Sequence, residues 1–335
     1  MTLTVSQLSV ELDKKHILRD FSLTVEKGEI LCLLGPSGCG KTTALKAIAG
    51  LIKCSAGEIE LFEETLLNGR HVCPPEKRGM GFIFQDYALF PHMTVEQNIA
   101  FALHGQPKEL IHKTVQEVLS LVHMQGLEGR YPHQLSGGQQ QRTAVARALA
   151  NKPKLLLMDE PFSNIDSQVK HKLMAELRTL LKGHGITCIF VTHAKYEAFS
   201  FADKTAVIHN GRIEQVGCTQ SVYEQPLTQF VARFMESGNV LPHGTLPLEL
   251  FNQPLPDHAQ TGHWLLKESG FKLHDEAGVQ GTILDSVYMG NRYRHTVLWG
   301  EHQLTMESPR PLEQGKPVHF QYDIAPIWIN EPIHS

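Results

Sequence analysis

Ile30-Leu31-Cys32-Leu33-Leu34-Gly35-Pro36-Ser37-Gly38-Cys39-Gly40-Lys41-Thr42-Thr43 reads as a buried strand, a glycine-rich turn and the start of a helix that continues through residues 44–49. The turn carries the spacing G-x-x-x-x-G-K-[ST] of a phosphate-binding loop. Its glycines let successive backbone N–H groups turn inward around a polyphosphate, and the positive end of the following helix reinforces the site. On this reading residues 35–43 hold the phosphates. Lys41 reaches the β and γ phosphates, and the hydroxyl of Thr42 sits on Mg²⁺.

The remaining composition is that of an ordinary soluble core. The chain has 335 residues, 41% hydrophobic and 20% charged, enough for one large domain and a small one. A net charge of −4 with no basic block argues against nucleic acid as the main partner. No run approaches the roughly 18 apolar residues of a membrane span, and the opening Met1-Thr2-Leu3-Thr4-Val5 lacks the layout of a signal peptide. Cys32, Cys39, Cys54, Cys73, Cys188 and Cys218 show no paired spacing and read as reduced thiols. The 19 histidines offer no metal-ligand pattern with cysteines or carboxylates.

Along the chain, residues 3–25 alternate as short antiparallel strands (Leu8, Val10, Leu12; Phe21, Leu23, Val25), and residues 58–62 return as another. A polar loop over 68–78 precedes the apolar Gly81-Phe82-Ile83-Phe84, which ends in Gln85. From 95 to 127 the period becomes helical, with Leu110, Ile111, Val115, Val118, Leu119 and Val122 expected on one face. Ser136 is a good N-cap for a helix over 140–150. Residues 154–158 form a buried strand ending in Asp159-Glu160, residues 167–182 a helix, and residues 186–192 a strand ending at His193. Asn210-Gly211 marks a hairpin. Helix follows to Glu236, broken at Pro226. The expected division is a first domain over 1–237 with a helical part near 90–152, a proline-marked linker over 238–278 (Pro242, Pro247, Pro254, Pro256), and a β-rich domain over 279–335.

Four apolar strands thus end in groups suited to phosphate chemistry: the Gly35 loop, Gln85, Asp159-Glu160 and His193. In a parallel α/β sheet ligands sit at the carboxyl ends of strands, so the four converge on one nucleotide. Asp159 would hold Mg²⁺ and Glu160 would act as general base on the attacking water. Gln85 would touch both, and His193 would hydrogen-bond the γ-phosphate. Leu135-Ser136-Gly137-Gly138-Gln139 is a second anion-binding turn, placed after the helical insert and away from those strand ends. A second copy of the chain could bring it to the phosphate, two chains head to tail burying two ATP molecules.

The order of residues 35–42, Gln85, residues 135–139, Asp159-Glu160, Asp166 and His193 resembles an ABC transporter ATPase subunit, over residues 1 to about 235. The resemblance implies an α/β P-loop NTPase of ABC type: a RecA-like parallel-sheet core, an antiparallel β subdomain and a helical subdomain. It makes Asp166 the D-loop residue and His193 the H-loop residue, and implies a head-to-tail ATP-sandwich dimer with ATP and Mg²⁺ as cofactors. It also places residues 87–91 by the groove that receives a coupling helix from a membrane subunit. The family stacks an aromatic ring on adenine from just after the first strand. This chain has no aromatic residue before Phe21, so Leu12 or His16 is expected to serve. Lys195 and Tyr196 replace the family's glutamine and acidic residue.

The β-rich tail, with Gly281-Thr282-Ile283 and Val287-Tyr288-Met289-Gly290, resembles the small OB-like (TOBE-like) regulatory domain of bacterial importers that take up ferric iron, sugars, polyamines, sulfate, molybdate or thiamine. The run Asp159-Glu160-Pro161-Phe162-Ser163-Asn164-Ile165-Asp166 and the compact tail resemble ferric-iron importer ATPases most. That implies integral-membrane permease subunits as partners, a periplasmic solute-binding protein indirectly, and a peripheral position on the cytoplasmic face of the inner membrane. A soluble, non-transport ABC ATPase is the competing class. Those acting on DNA carry long coiled-coil inserts, and residues 85–135 have no sustained heptads. Cys39, at a helix N-terminus, is expected to have a lowered thiol pKa and to block ATP when oxidised or alkylated.

Overall fold

The computed structural model describes residues 2–69, 71–236, 238–242, 244–251 and 262–330. It divides into two compact units, Met1–Thr219 and Gln220–Ser335.

In the first unit, β1 (Leu3–Leu12) and β2 (Lys15–Val25) form a hairpin, followed by β3 (Ile30–Leu34), α1 (Lys41–Ala49), β4 (Ala56–Leu61), β5 (Glu64–Asn68) and β6 (Met80–Ile83). Then come α2 (Val95–Phe101), α3 (Lys108–Leu121), α4 (Gly137–Ala150), β7 (Leu155–Asp159), α5 (Ser167–Gly183), β8 (Cys188–Thr192), α6 (Lys195–Phe201), β9 (Lys204–His209) and β10 (Arg212–Cys218). Strands β2-β1-β4-β5 make an antiparallel sheet, and β10-β9-β3-β8-β7-β6 make a second sheet. In the second sheet β9, β3, β8, β7 and β6 run parallel, and only the β9–β10 hairpin is antiparallel. Its central strands β3, β7 and β8 are buried along their whole length, which is why they read as unbroken apolar runs. Leu31, Leu33, Leu157, Ile189 and Val191 join Leu45 and Ile48 of α1 and Leu8 and Phe21 of the other sheet in one core. Asn210 and Gly211, both left-handed at φ 48° and 79°, make the tight turn expected of an Asn-Gly hairpin.

Local departures have local causes. The strand β5 was hidden because Glu64-Thr65 and Asn68 flank only two buried leucines, 66 and 67. Leu110 is exposed: it lies in the first turn of α3, at the margin of the buried face formed by Thr114, Val115, Val118 and Leu119.

The second unit starts within α7 (Thr219–Glu224) and continues with α8 (Gln229–Met235), β11 (Asn239–Pro242), β12 (Gly262–Leu266), β13 (Phe271–His274), β14 (Val279–Tyr288), β15 (Tyr293–Trp299), β16 (His302–Ser308), β17 (Pro317–Tyr322) and β18 (Ile327–Asn330). Two sheets, β11-β12-β18 and β13-β17-β14-β15-β16, pack around Trp264, Phe271, Ile283, Val297, Leu304, Met306 and Phe320. Two corrections follow for the expected division. The span 238–278 carries three strands where a linker was expected, since its prolines fall at strand ends and in turns; Pro254 and Pro256 lie outside the described residues. Helix α8 belongs with the second unit, because Ala232 packs on Leu265 and Ile329. Among the described residues no helix is long and apolar enough to cross a membrane, and no group of His, Cys, Asp and Glu is arranged to hold a metal ion.

Candidate active site

Because β3, β6, β7 and β8 are parallel neighbours, their carboxyl ends lie along one edge of the sheet. That edge presents residues 35–43, Gln85, Asp159-Glu160 and His193 together. The phosphate loop is tightly packed at its first glycine. A Cβ on Gly35 would lie 2.4 Å from the carbonyl oxygen of Ile208 and 2.8 Å from the Cys39 sulfur. Gly38 and Gly40 take φ of +81° and +106°, conformations that side chains disfavour. Lys41 is buried, and its Nζ donates to the carbonyls of Gly35 and Pro36, both at 2.8 Å.

Thr42 Oγ1 donates to Asp159 Oδ1 over 2.7 Å. Burial pushes the Asp159 carboxyl above its usual pKa, with the Thr42 hydrogen bond and Lys46 pulling the other way. One residue on, Glu160 is held from two sides: Gln85 Nε2 donates to its Oε2 at 3.3 Å, and His193 Nδ1 lies 3.2 Å from its Oε1. Glu160 itself is left-handed at φ 44°, an uncommon state for a residue with a side chain. The carboxylate is thereby aimed across the strand ends rather than along β7.

The turn over 135–139 opens α4. Ser136 Oγ accepts from the Gln139 backbone N–H while Gln139 Oε1 accepts from the Ser136 N–H, a reciprocal cap. A Cβ on Gly137 would lie 3.3 Å from the Asn164 carbonyl oxygen, so this turn packs on the loop that follows Glu160. Asp166 caps α5, its Oδ1 accepting from the Gln168 N–H at 2.9 Å. Leu12 and His16 both lie exposed on the β1–β2 hairpin. Ile17, one residue further on, meets the phosphate loop: its carbonyl oxygen lies 3.1 Å from a Cβ built on Gly40.

The thiol of Cys39 differs from expectation. It is buried, and burial raises its pKa although Lys41, 3.8 Å from the sulfur, pulls it down. Desolvation outweighs the helix N-terminus here.

Some residues of this site escaped sequence reasoning. Asn164 Nδ2 donates to the Gln85 carbonyl at 3.0 Å. Glu197, buried, accepts from Thr192 Oγ1 at 2.6 Å and Lys170 Nζ at 3.1 Å, tying α5 and α6 to the end of β8 beside His193. Arg147 donates from α4 to the carbonyls of Tyr87 (2.8 Å) and Ala88 (2.7 Å). The available signal for Arg147 was a single charge in an otherwise apolar helical stretch, Ala144-Val145-Ala146-Arg147-Ala148-Leu149-Ala150.

A parallel sheet with a phosphate loop, a strand-end Asp-Glu pair and a flanking histidine defines a nucleoside-triphosphatase of the P-loop class. The ABC transporter family model matches residues 18–163. A sulfate/thiosulfate import ATP-binding protein of Synechocystis is 41% identical over 89% of this chain and 85% of that protein. A spermidine/putrescine import ATP-binding protein of Oleidesulfovibrio alaskensis is 41% identical over 84% and 81%. An Fe(3+) ions import ATP-binding protein of Pectobacterium atrosepticum is 38% identical over 97% of both. The post-hydrolysis dimer of the ATP-binding cassette MJ0796, bound to ADP and phosphate, is 29% identical with a TM-score of 0.56 over 65% of this chain and 98% of that one. The chain belongs to the ABC transporter family, as an ATP-binding subunit of the importer kind.

Proposed function

We propose that this chain hydrolyses ATP at the edge formed by β3, β6, β7 and β8, as one half of a head-to-tail pair, and so energises ferric-iron import through integral-membrane permease subunits. The observation that carries the catalytic part is the placement of Glu160 between Gln85 and His193, one residue beyond a buried Asp159. The loop over 35–43 cradles the polyphosphate, Lys41 exchanging its loop carbonyls for phosphate oxygens. The Thr42 hydroxyl, the Asp159 carboxylate and the Gln85 amide oxygen form a hard-oxygen donor set suited to Mg²⁺. When bound there, Mg²⁺ supplies charge neutralisation of the phosphates. Glu160 takes the proton of the attacking water, Gln85 orients that water, and His193 both steadies Glu160 and reaches toward the γ-phosphate.

The partner copy would supply Leu135, Ser136, Gly137, Gly138 and Gln139, with Asp166 between the two sites. Support for the pairing comes from the dimeric form of the MJ0796 cassette. Leu12, His16 and Ile17 line the hairpin offered to the base. The proposed location is the inner face of the bacterial membrane, against permease subunits, with a periplasmic binding protein delivering the solute to them. Ferric iron is supported by the end-to-end likeness to the Pectobacterium Fe(3+) protein. The higher identity of the sulfate and polyamine relatives favours those cargoes as the second reading.

Replacing Glu160 by Gln tests the catalytic part. Phosphate release should fall by about 10²-fold or more while ATP still binds; hydrolysis at the original rate would remove Glu160 from the role. Uptake of radiolabelled ferric iron, sulfate and spermidine by cells with and without the gene tests the cargo. Loss of iron uptake alone supports the proposal, and loss of either of the others replaces it.

A further inference from the structure

Tyr87 and Ala88 are consecutive residues with side chains in the left-handed region, at φ 62° and 44°. Such a pair is disfavoured unless its surroundings hold it. Here the holding group is on another element. Arg147, near the end of α4, donates one guanidinium nitrogen to the Tyr87 carbonyl at 2.8 Å and another to the Ala88 carbonyl at 2.7 Å. Its guanidinium carbon also stands 5.6 Å from the centre of the Phe90 ring. Phe90 in turn is fixed by Asn98, which accepts from its N–H at 2.8 Å and donates to its carbonyl at 3.2 Å.

The bend points back at the candidate base. Tyr87 is buried, and its hydroxyl lies 3.5 Å from the carbonyl oxygen of Pro161, the residue after Glu160. Gln85, two residues before Tyr87, touches Glu160 directly. The same helix α4 opens with Ser136, Gly137, Gly138 and Gln139. One helix therefore carries the second anion-binding turn at its start and the anchor of the bend in its last turn.

We propose that Arg147 is a positioning residue: by clamping the left-handed Tyr87-Ala88 bend to α4, it ties the position of the Ser136–Gln139 turn to that of Gln85 and Glu160. This rests on the role proposed above for Glu160. The clamp has the character of a two-state element. With the two charge-assisted hydrogen bonds in place the bend is held; without them Ala88 relaxes toward an ordinary conformation and carries Tyr87 away from Pro161.

The experiment measures ATP hydrolysis by the full chain. Arg147→Ala should lower kcat about tenfold, with KM for ATP within about twofold, because the phosphate loop is untouched. Arg147→Lys keeps the charge but loses the fork, and should fall between. The deciding variant is Arg147→Ala with Ala88→Gly. Glycine takes a left-handed φ without strain, so the double variant should recover about threefold or more of the lost kcat. Because glycine at this φ also stabilises the fold, the urea midpoint of each variant is read alongside: kcat lost and regained in protein that is fully folded in the assay supports the clamp, and kcat that merely follows the folded fraction overturns it. Unchanged kcat in Arg147→Ala, or no recovery in the double variant, overturns the proposal. If Arg147→Ala does not fold, Tyr87→Phe removes only the hydroxyl and should lower kcat about threefold; unchanged kcat there overturns it equally. Glu160→Gln in the same assay separates the two readings. Loss of hydrolysis there with an inert Arg147→Ala rejects the clamp alone, and retained hydrolysis rejects the role of Glu160.

Discussion

The hydroxyl of Thr42, in the phosphate loop and the first turn of α1, donates to the Asp159 carboxylate over 2.7 Å across 117 residues of sequence. It joins the loop after β3 to the end of β7 and puts two hard oxygens where a divalent cation is expected. The cost lies in the same place, since burial raises the Asp159 pKa and so works against the ionised form. Asp159→Asn keeps an oxygen for Thr42 but removes the charge. At pH 7 the variant should melt no lower than the parent, while Mg²⁺-dependent phosphate release falls about 10²-fold. A variant with normal turnover would take Asp159 out of the cation site.

Glu197 holds the other side of the site. Its carboxylate is buried between Thr192 and Lys170, and Thr192 also accepts from the Ala194 N–H at 3.0 Å. The chain on both sides of His193 is thus fixed by one carboxylate. Glu197→Ala leaves Lys170 without its partner and should cost about 3 kcal/mol in urea unfolding, with turnover falling as His193 loses its frame. A cost under about 1 kcal/mol would place the pair among ordinary surface ion pairs.

Asp203 gives the first unit a handle on acid stability. Burial pushes its carboxyl up. Hydrogen bonds from Lys182, the Ile30 N–H and Arg178 outweigh that and hold it below the usual carboxylate value. A depressed carboxylate stabilises the fold above its unfolded pKa, near 3.9, and that stability is lost as pH falls through the lower folded value. Asp203→Asn should therefore cost about 2 kcal/mol at pH 7 and very little near pH 2. An equal cost at both pH values would mean that the charge is not what holds β3 to α5.

His295 acts in the opposite range. It is fully buried in the second unit, its Nε2 lying 2.9 Å from Ser308 Oγ, and burial lowers its pKa, with the Arg310 backbone opposing. The unfolded chain then binds the proton more readily. Stability is complete above the unfolded pKa, near 6.5, and declines as pH falls below it. All three tryptophans, Trp264, Trp299 and Trp328, belong to this unit, so their fluorescence reports it alone. The urea midpoint of that signal should fall between pH 7.5 and 5.5, and His295→Gln should flatten the slope. A midpoint with no such pH dependence would contradict this.

Much of the first unit was legible because its central strands are buried on both faces. Apolar runs bounded by Gly35, Asp159 and His193 then announce the strands, whose ends the structure brings to one edge of the sheet. What stayed hidden depends on tertiary partners. Arg147 looks like any helix-surface arginine until the Tyr87-Ala88 bend is placed beside it. Asn164 gains meaning only from the Gln85 carbonyl. In the second unit β11, β12, β13 and β18 were missed for a related reason. Strands of four or five residues carry little pattern, and their pairing is long-range: β12 bonds β18 across more than sixty residues of chain. The Cys39 thiol was misjudged because the sequence shows the helix start and not the burial.

The central claim is that each phosphate loop works with the Ser136–Gln139 turn of a second copy. Two inactive chains decide it. Lys41→Ala spoils the loop and leaves the turn. Gly138→Asp spoils the turn by adding a carboxylate where a Cβ would meet only Leu173 at 3.6 Å. Mixed in equal amounts, the two should regain about a quarter of the parent's phosphate release, because half of the pairs are mixed and each has one intact composite site. Mixtures as inactive as either chain alone would contradict a shared site.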